Sequence, residues 1–140
     1  MIASRNVNRT VVGLCLCAAL SSVHAEHWVT AAKNDHETVY LDGDTIKRDE
    51  AGDIVVWTRH DMSAHPILVD NLSIAMSLER DAFDCSRGRV RSLSSIGYDH
   101  NGAVVSAIDV PSPYNEIPPG TVISSIGSIA CGAAKRLGIR

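Results

Sequence analysis

The sequence predicts an α+β fold, in which an antiparallel sheet carries one C-terminal helix tied to it by a single disulfide. Apolar and polar residues alternate with a period of two from Leu72 to Glu79, as in a strand with one buried face. Asn101-Gly102 stands between two apolar runs, which is a strong hairpin signal. Helical spacing of apolar residues is convincing only after Thr121.

Four strands are predicted in the first half of the chain, separated by turn residues. They cover residues 27–32, 38–42, 45–48 and 54–60. The last of them, IVVWTRH, is rich in β-branched and aromatic residues and is apolar on both faces at its start. This strand is therefore expected near the centre of the sheet.

Three further strands are predicted after His65-Pro66 interrupts the pattern. They cover residues 72–85, 89–99 and 103–110. The alternation in the first of these strands shifts near Arg80, which predicts a bulge there. A turn is expected at residues 86–88, between the first two.

The one predicted helix follows the Pro-Pro-Gly segment at 118–120. Thr121 is a suitable N-cap, because its hydroxyl can accept from a free backbone N–H of the first turn. Four apolar residues of this segment fall on one helical face, namely Val122, Ile126, Ile129 and Ala133.

Residues 1–25 have the pattern of a cleaved signal peptide. Arg5 and Arg9 give a positive start, residues 11–20 form an apolar core, and Val23-x-Ala25 suits signal peptidase. The exported chain, 26–140, is expected to form a single domain, exported to the periplasm, secreted or placed on the cell surface.

Two other fates for this leader are considered and not expected. Its apolar run is too short for a membrane anchor, which takes about 20 residues. Lipidation needs a small residue before the cysteine, whereas Leu precedes both Cys15 and Cys17.

The exported chain carries 11 basic and 16 acidic residues, a formal net charge of 11 − 16 = −5. A mildly acidic domain is a poor nucleic-acid binder. No further apolar run is long enough to span a membrane. We therefore expect neither a nucleic-acid partner nor a membrane-spanning segment.

Cys85 and Cys131 are the cysteines that remain after removal of the leader. A small exported chain with two cysteines is expected to close one structural disulfide, with two free thiols as the disfavoured alternative. This bond would tie the predicted helix to the strand that ends at Cys85.

Residues along nearly the whole exported chain follow the order and spacing of a known family. They are Trp28, Tyr40-Leu41-Asp42, Ile46, Arg48, Gly52, Val56-Trp57, Asp84-Cys85, Arg87, Arg89, Tyr98-Asp99, Gly102, Val104-Val105, Ile117-Pro118-Pro119-Gly120-Thr121 and Cys131. On these residues the chain resembles the bacterial surface-adhesin protein E family. The resemblance implies a sheet of about six strands and binding of the host proteins vitronectin, laminin and plasminogen. The alternative is a periplasmic structural or stress-related protein without an adhesive role.

Arg87, Arg89 and Arg91 alternate along the sequence and predict one basic strand face. Such a face could bind an acidic segment or a sulfated glycan. The alternative is a solvated sheet face with local ion pairs, which is ordinary in antiparallel sheets. Replacing all three residues with Ala is expected to leave folding intact.

No catalytic, metal-binding or cofactor-binding residue is assigned. His60, Asp61 and His65 could approach a metal, but a fourth ligand is missing, so a surface loop is favoured. No G-x-S-x-G elbow and no nucleophile with a matching base is evident. The sequence therefore predicts a binding protein rather than an enzyme and leaves its oligomeric state open.

Overall fold

The computed structural model of the protein describes residues 26–139, so the predicted signal peptide lies outside the described residues. Within this range, ten strands precede one helix. They are β1 (Trp28–Lys33), β2 (Thr38–Asp42), β3 (Lys47–Arg48), β4 (Ile54–Asp61), β5 (Ile67–Val69), β6 (Leu72–Ile74), β7 (Met76–Asp84), β8 (Arg89–Tyr98), β9 (Val104–Ile108), β10 (Asn115–Glu116) and α1 (Val122–Leu137).

Eight of these strands form one antiparallel sheet. Its order is β1-β2-β4-β7-β8, with β9 and β10 both beside β8 and the short β3 beside β4. Strands β3 and β10 have two residues each, so the sheet has six longer strands. The predicted antiparallel sheet with a C-terminal helix is confirmed, and β4 lies inside the sheet as expected.

Strands β7 and β8 pair along almost their whole length, and their register shifts between Arg80 and Asp81. This irregularity confirms the bulge predicted from the change in alternation near Arg80. The turn between β8 and β9 is also confirmed, because Gly102 has φ of 78° and its N–H bonds to the carbonyl of Asp99.

Helix α1 covers one half of one sheet face. Its buried residues are Ile126, Gly127, Ala130 and Ala134. They pack against buried residues of β2, β4 and β7, namely Val39, Leu41, Ile54, Val56 and Phe83. Because these side chains leave water together, this layer supplies most of the hydrophobic stabilisation of the fold.

Both ends of α1 are capped, and the cap at its start, Thr121, is the one that the sequence predicts. The hydroxyl of Thr121 accepts from the backbone N–H of Ser124, whose own hydroxyl accepts from the N–H of Thr121. Gly138 ends the helix in the left-handed region, at φ of 62°. These contacts satisfy backbone groups that a helix end otherwise leaves unpaired.

The predicted apolar helix face is confirmed in large part. Ile126 is buried, Val122 and Ile129 are half-buried and pack against the core, and Ala133 is half-buried. The sequence did not predict the fully buried positions Gly127, Ala130 and Ala134, which lie beside this face. Small side chains lie on the sheet because they allow the helix to approach the large ring of Phe83 closely.

The predicted disulfide is confirmed. Cys85 follows β7 directly, Cys131 lies in α1, and the two Cα atoms are 5.9 Å apart. The bond therefore joins the helix to the end of a central strand.

Two features of the strand order were not predicted. Residues 72–79 are not one strand, because β6 turns away and pairs with β5 in a separate hairpin. Asp70 and Asn71 form its turn, with φ of 49° and 64°. Strand β10 was also missed.

Among residues 26–139, no helix combines the length and the apolar character that a membrane span requires.

Candidate functional site

The three arginines predicted to share a strand face occupy two different settings. Arg87 lies in the turn before β8, and its side chain is 72% exposed. Arg89 and Arg91 belong to β8, and their side chains are 29% and 23% exposed. Only Arg87 thus presents a largely exposed guanidinium group.

Asp84 accepts from two of these arginines. One of its carboxylate oxygens lies 2.8 Å from Nη2 of Arg89 and 3.4 Å from Nη1 of Arg87. The hydroxyl of Ser86 also donates to this carboxylate, at 2.8 Å. Chiefly through the bond from Arg89, the pKa of the Asp84 carboxyl is held well below its usual range.

Arg91 is held by a second acidic group and by an aromatic ring. Its Nη2 lies 3.3 Å from a carboxylate oxygen of Asp49 and 3.5 Å from one of Asp53. The ring of Tyr114 lies under its guanidinium carbon, at 4.9 Å, and under that of Arg89. Since Tyr114 donates its hydroxyl to Asp53, the pKa of that hydroxyl is raised.

The arginine cluster, Arg87, Arg89 and Arg91, is therefore compensated by acidic residues of this chain. Local ion pairs of this kind are the alternative that the sequence left open. Two of the three guanidinium groups are occupied, so an external anion would have to compete with Asp49, Asp53 or Asp84.

A different region of the molecule exposes apolar side chains. We call it the hairpin end, which consists of the hairpin β5–β6 (67–74) and the edge strand β9 (104–108). Its exposed large apolar residues are Ile67, Leu68, Val69, Leu72, Val104 and Ile108. Leu68 is the most exposed of them, at 75%. Adjacent exposed apolar residues of this kind are typical of interaction surfaces.

The hairpin is fixed to the sheet rather than free. Met62 donates its N–H to the carbonyl of Ala75, and Ala75 donates to that of Tyr98, both at 2.8 Å. A Cβ on Gly97 would lie 3.1 Å from Cδ1 of Ile74, so β6 packs closely on β8. The apolar residues of the hairpin are thus held in place on the sheet.

A cavity of about 420 Å³ lies between the hairpin and the half of the sheet face that α1 leaves uncovered. Ile67, Val69 and Ile74 line it from the hairpin. His60, Glu79 and other polar residues line it from the sheet and the adjoining segments. We call it the hairpin cavity.

The polar side of the hairpin cavity is built around His60. Its Nδ1 lies 2.8 Å from Oε2 of Glu37, and its Nε2 lies 3.7 Å from Oε2 of Glu79. Beside them Asp81 is 4% exposed, and burial, with the charge of Glu79 as second cause, raises the pKa of its carboxyl to about 7. These groups make this half of the sheet face acidic.

The three residues considered as a loose metal cluster, His60, Asp61 and His65, each make different contacts. Asp61 accepts from the backbone N–H of Ser63 at 3.0 Å. His65 packs edge-to-face on His36, with ring centroids 5.8 Å apart. Across residues 26–139, no three His, Cys, Asp or Glu residues are placed to hold a metal ion.

Neither the cavity nor the set of acidic residues that lines it was predicted from the sequence. Glu37 and His60 are brought together only by the pairing of β2 with β4, where Val39 faces His60. The hairpin itself carried a signal, because Asp70-Asn71 is a dipeptide that tolerates positive φ between apolar residues.

The chain shows clear similarity to one protein family. The family model described as surface-adhesin protein E matches residues 28–132. No curated protein matches the sequence.

Solved structures of Haemophilus influenzae protein E have a similar fold. One crystal form aligns with a TM-score of 0.57 at 14% identity, covering 75% of this chain and 87% of that chain. A second structure of the same protein aligns with a TM-score of 0.51 at 13% identity, covering 75% and 83%. The match extends over most of both chains. Because the sequence identity is this low, the match shows similarity of the fold alone.

Proposed function

Because this chain belongs to the surface-adhesin protein E family, we propose that it is an exported binding domain for host proteins, namely vitronectin, laminin and plasminogen. Residues 1–25 act as the signal peptide, and residues 26–140 form the single binding domain. The disulfide between Cys85 and Cys131 keeps helix and sheet together outside the cell.

The hairpin end is the proposed contact surface, and its exposed apolar residues are the observation that carries the proposal. Leu68 and Leu72 are 75% and 42% exposed although they lie within two residues of a tight turn that polar residues would suit equally well. Burying such side chains against a partner is favourable, at about 25 cal/mol per Å² of apolar surface before the costs of association.

The edge of the sheet adds a second means of contact. Strand β9 pairs with β8 on one side, and among the described strands no other pairs with it. Its outer backbone groups can therefore bond to an extended segment of a partner, as in β-strand addition. Ile108 and Val104, at 56% and 58% exposure, would pack on that segment.

The arginine cluster is a second proposed contact. Arg87 contributes most, because its side chain is 72% exposed and bonds to Asp84 only at 3.4 Å. Arg89 and Arg91 are engaged mainly within the chain, by the carboxylate of Asp84 and the ring of Tyr114. An acidic segment of a host protein would approach Arg87 first.

The proposal is tested by binding of purified, oxidised residues 26–140 to immobilised vitronectin, laminin and plasminogen at physiological salt. We expect saturable binding to at least one of them. Reduced and alkylated protein is the control for a requirement for the folded state. Absence of saturable binding to all three would contradict the proposal.

Location in the cell is tested separately. Digestion of the protein by protease added to intact cells would support display on the surface. Release by osmotic shock, without digestion on intact cells, would instead support a periplasmic structural or stress-related role.

A further inference from the structure

We propose that the hairpin cavity binds a small organic cation, that is, a primary ammonium or guanidinium group carried on an apolar stem. The group could belong to a free amine or to a basic side chain of a polypeptide, since both offer the same chemistry. This site does not depend on adhesion to host proteins.

The size and position of the hairpin cavity suit a small ligand. Its volume of about 420 Å³ falls in the range of about 300–1,000 Å³ that is typical of small-molecule sites. The sheet forms one wall and the hairpin the other, so a bound molecule would lose much of its contact with water. Both walls are held in place by the backbone bonds of Ala75.

The charge of the lining favours a cation. Glu37 and Glu79 contribute two carboxylates, and no Lys or Arg lies among the residues of 26–139 that line the cavity. Three histidines also line it, namely His36, His60 and His65, and they offer an anion a positive charge only when protonated. A cation would gain from the two carboxylates, and more strongly than in open water, because the cavity is partly closed.

One carboxylate oxygen of Glu79 can accept a further hydrogen bond. Its Oε1 accepts from the hydroxyl of Ser77 at 3.0 Å. Its Oε2 lies 3.7 Å from His60 Nε2, beyond hydrogen-bond distance, and it accepts no bond from the described residues. An ammonium or guanidinium N–H could donate to this oxygen in a charge-assisted bond.

The opposite wall decides which cations fit. Ile67, Val69 and Ile74 give that wall an apolar surface, and Ile108 and Met62 extend it. A hydrated metal ion gains nothing from such a wall, and in residues 26–139 no three His, Cys, Asp or Glu residues are placed to hold a metal ion. An alkyl stem would instead bury its methylene groups there while its charged head reaches Glu79.

The test compares three six-carbon probes that differ only in the head group. Chemical-shift changes of oxidised residues 26–140 are followed with hexylammonium, 1-hexanol and hexanoate at physiological salt. We expect hexylammonium to bind and to shift resonances of the cavity residues, with the other two weaker by at least about tenfold. Equal binding of hexanol, or no binding of hexylammonium, would overturn the proposal.

Two substitutions that each remove one negative charge locate the site. Glu79→Gln keeps the size of the side chain and should weaken hexylammonium binding by at least about tenfold. Glu116→Gln removes an exposed charge outside the cavity and should change it little. Retained binding in Glu79→Gln, or equal loss in both variants, would overturn the assignment to this cavity.

A further arm distinguishes the two sources of the cation. A short uncharged peptide with one central Lys is compared with the same peptide carrying acetyl-lysine. Binding of the Lys peptide as strong as that of hexylammonium assigns the site to basic side chains of polypeptides. Binding of hexylammonium alone assigns it to free amines, and binding of neither probe overturns the proposal.

Discussion

Gly127 of α1 lies directly against the ring of Phe83 in β7. A Cβ at Gly127 would be 3.0 Å from Cδ1 and 3.1 Å from Cε1 of that ring, closer than carbon atoms normally pack. Phe83 is fully buried, so the core side chains packed around it resist its displacement. The absence of a side chain at residue 127 thus sets how closely the helix approaches the sheet.

We expect Gly127→Ala to destabilise the protein by about 1 kcal/mol. Replacing Gly by Ala inside a helix normally gains about 1 kcal/mol, but overpacking a core costs about 1–3 kcal/mol. Gly132→Ala is the matched control, because its new methyl would meet only the end of the flexible Arg136 side chain, at 3.3 Å. That variant should gain about 0.5–1 kcal/mol. Urea unfolding measures both, and equal stabilisation would contradict the close contact with Phe83.

Loss of the disulfide should lower the free energy of unfolding by about 4 kcal/mol, as the chain-entropy model predicts for this loop length. The bond spans 46 residues, from Cys85 to Cys131. The double variant Cys85→Ser/Cys131→Ser is compared with the oxidised protein by thermal unfolding. A reductant should lower the melting temperature of the natural protein and leave that of the variant unchanged. An unchanged melting temperature after reduction would show that the bond is not structural.

Asp81 should make stability fall as pH rises from about 4 to 7. The carboxyl has a pKa of about 7 in the folded protein against an ordinary value of 3.8. Between these values the unfolded chain has lost a proton that the folded chain retains. Its contribution to stability is therefore complete below the unfolded pKa and is lost as pH approaches the folded one, by up to about 1.4 kcal/mol per pH unit.

The variant Asp81→Asn should lack this dependence and be more stable than the natural protein at pH 8. Melting temperatures between pH 4.5 and 8 check the difference between the two proteins. Asp109→Asn, at an exposed position, is the control for the removal of one charge. Parallel curves for the natural protein and Asp81→Asn would mean that Asp81 is ionised throughout.

Arg91→Ala should lower the free energy of unfolding by about 1–2 kcal/mol, because the loss leaves Asp49 and Asp53 without their cation and Tyr114 without one of its two stacking partners. Arg87→Ala should change it by less than about 0.5 kcal/mol, since that side chain is 72% exposed. The expectation that all three arginines can be replaced without effect on folding is thus narrowed to Arg87. Equal stability of the two variants in urea would contradict this division.

The sequence predicted those parts of the fold that local patterns specify. Alternation, the Asn101-Gly102 turn, the Thr121 cap and the two cysteines each depend on residues close in sequence or on simple elimination. The apolar face of α1 was predicted but the burial of Gly127 was not, because hydrophobicity gives no signal at a glycine that packs closely on Phe83. Periodicity cannot weigh the size of a partner that lies 44 positions away.

The candidate sites were predicted less well for a related reason. Arg89 and Arg91 alternate as expected. Tertiary contacts, however, pair their charges with Asp84 and Asp49 and stack Arg89 on the ring of Tyr114. The hairpin cavity depends on the folding of β5–β6 over the sheet. One continuous alternation from Leu72 to Glu79 hid the break at Ala75 between β6 and β7.

The central claim is that the hairpin end binds the host protein. Two Leu→Ser substitutions at exposed positions test it most directly. Leu68 and Leu137 are both exposed apolar residues, at 75% and 69%, on different parts of the surface. Binding of Leu68→Ser, Leu137→Ser and Arg87→Ala to an immobilised host protein is measured beside the natural domain. We predict that Leu68→Ser weakens binding by at least about tenfold, while Leu137→Ser stays within about twofold. Undiminished binding by Leu68→Ser, with loss in Arg87→Ala, would contradict the claim and move the contact to the arginine cluster.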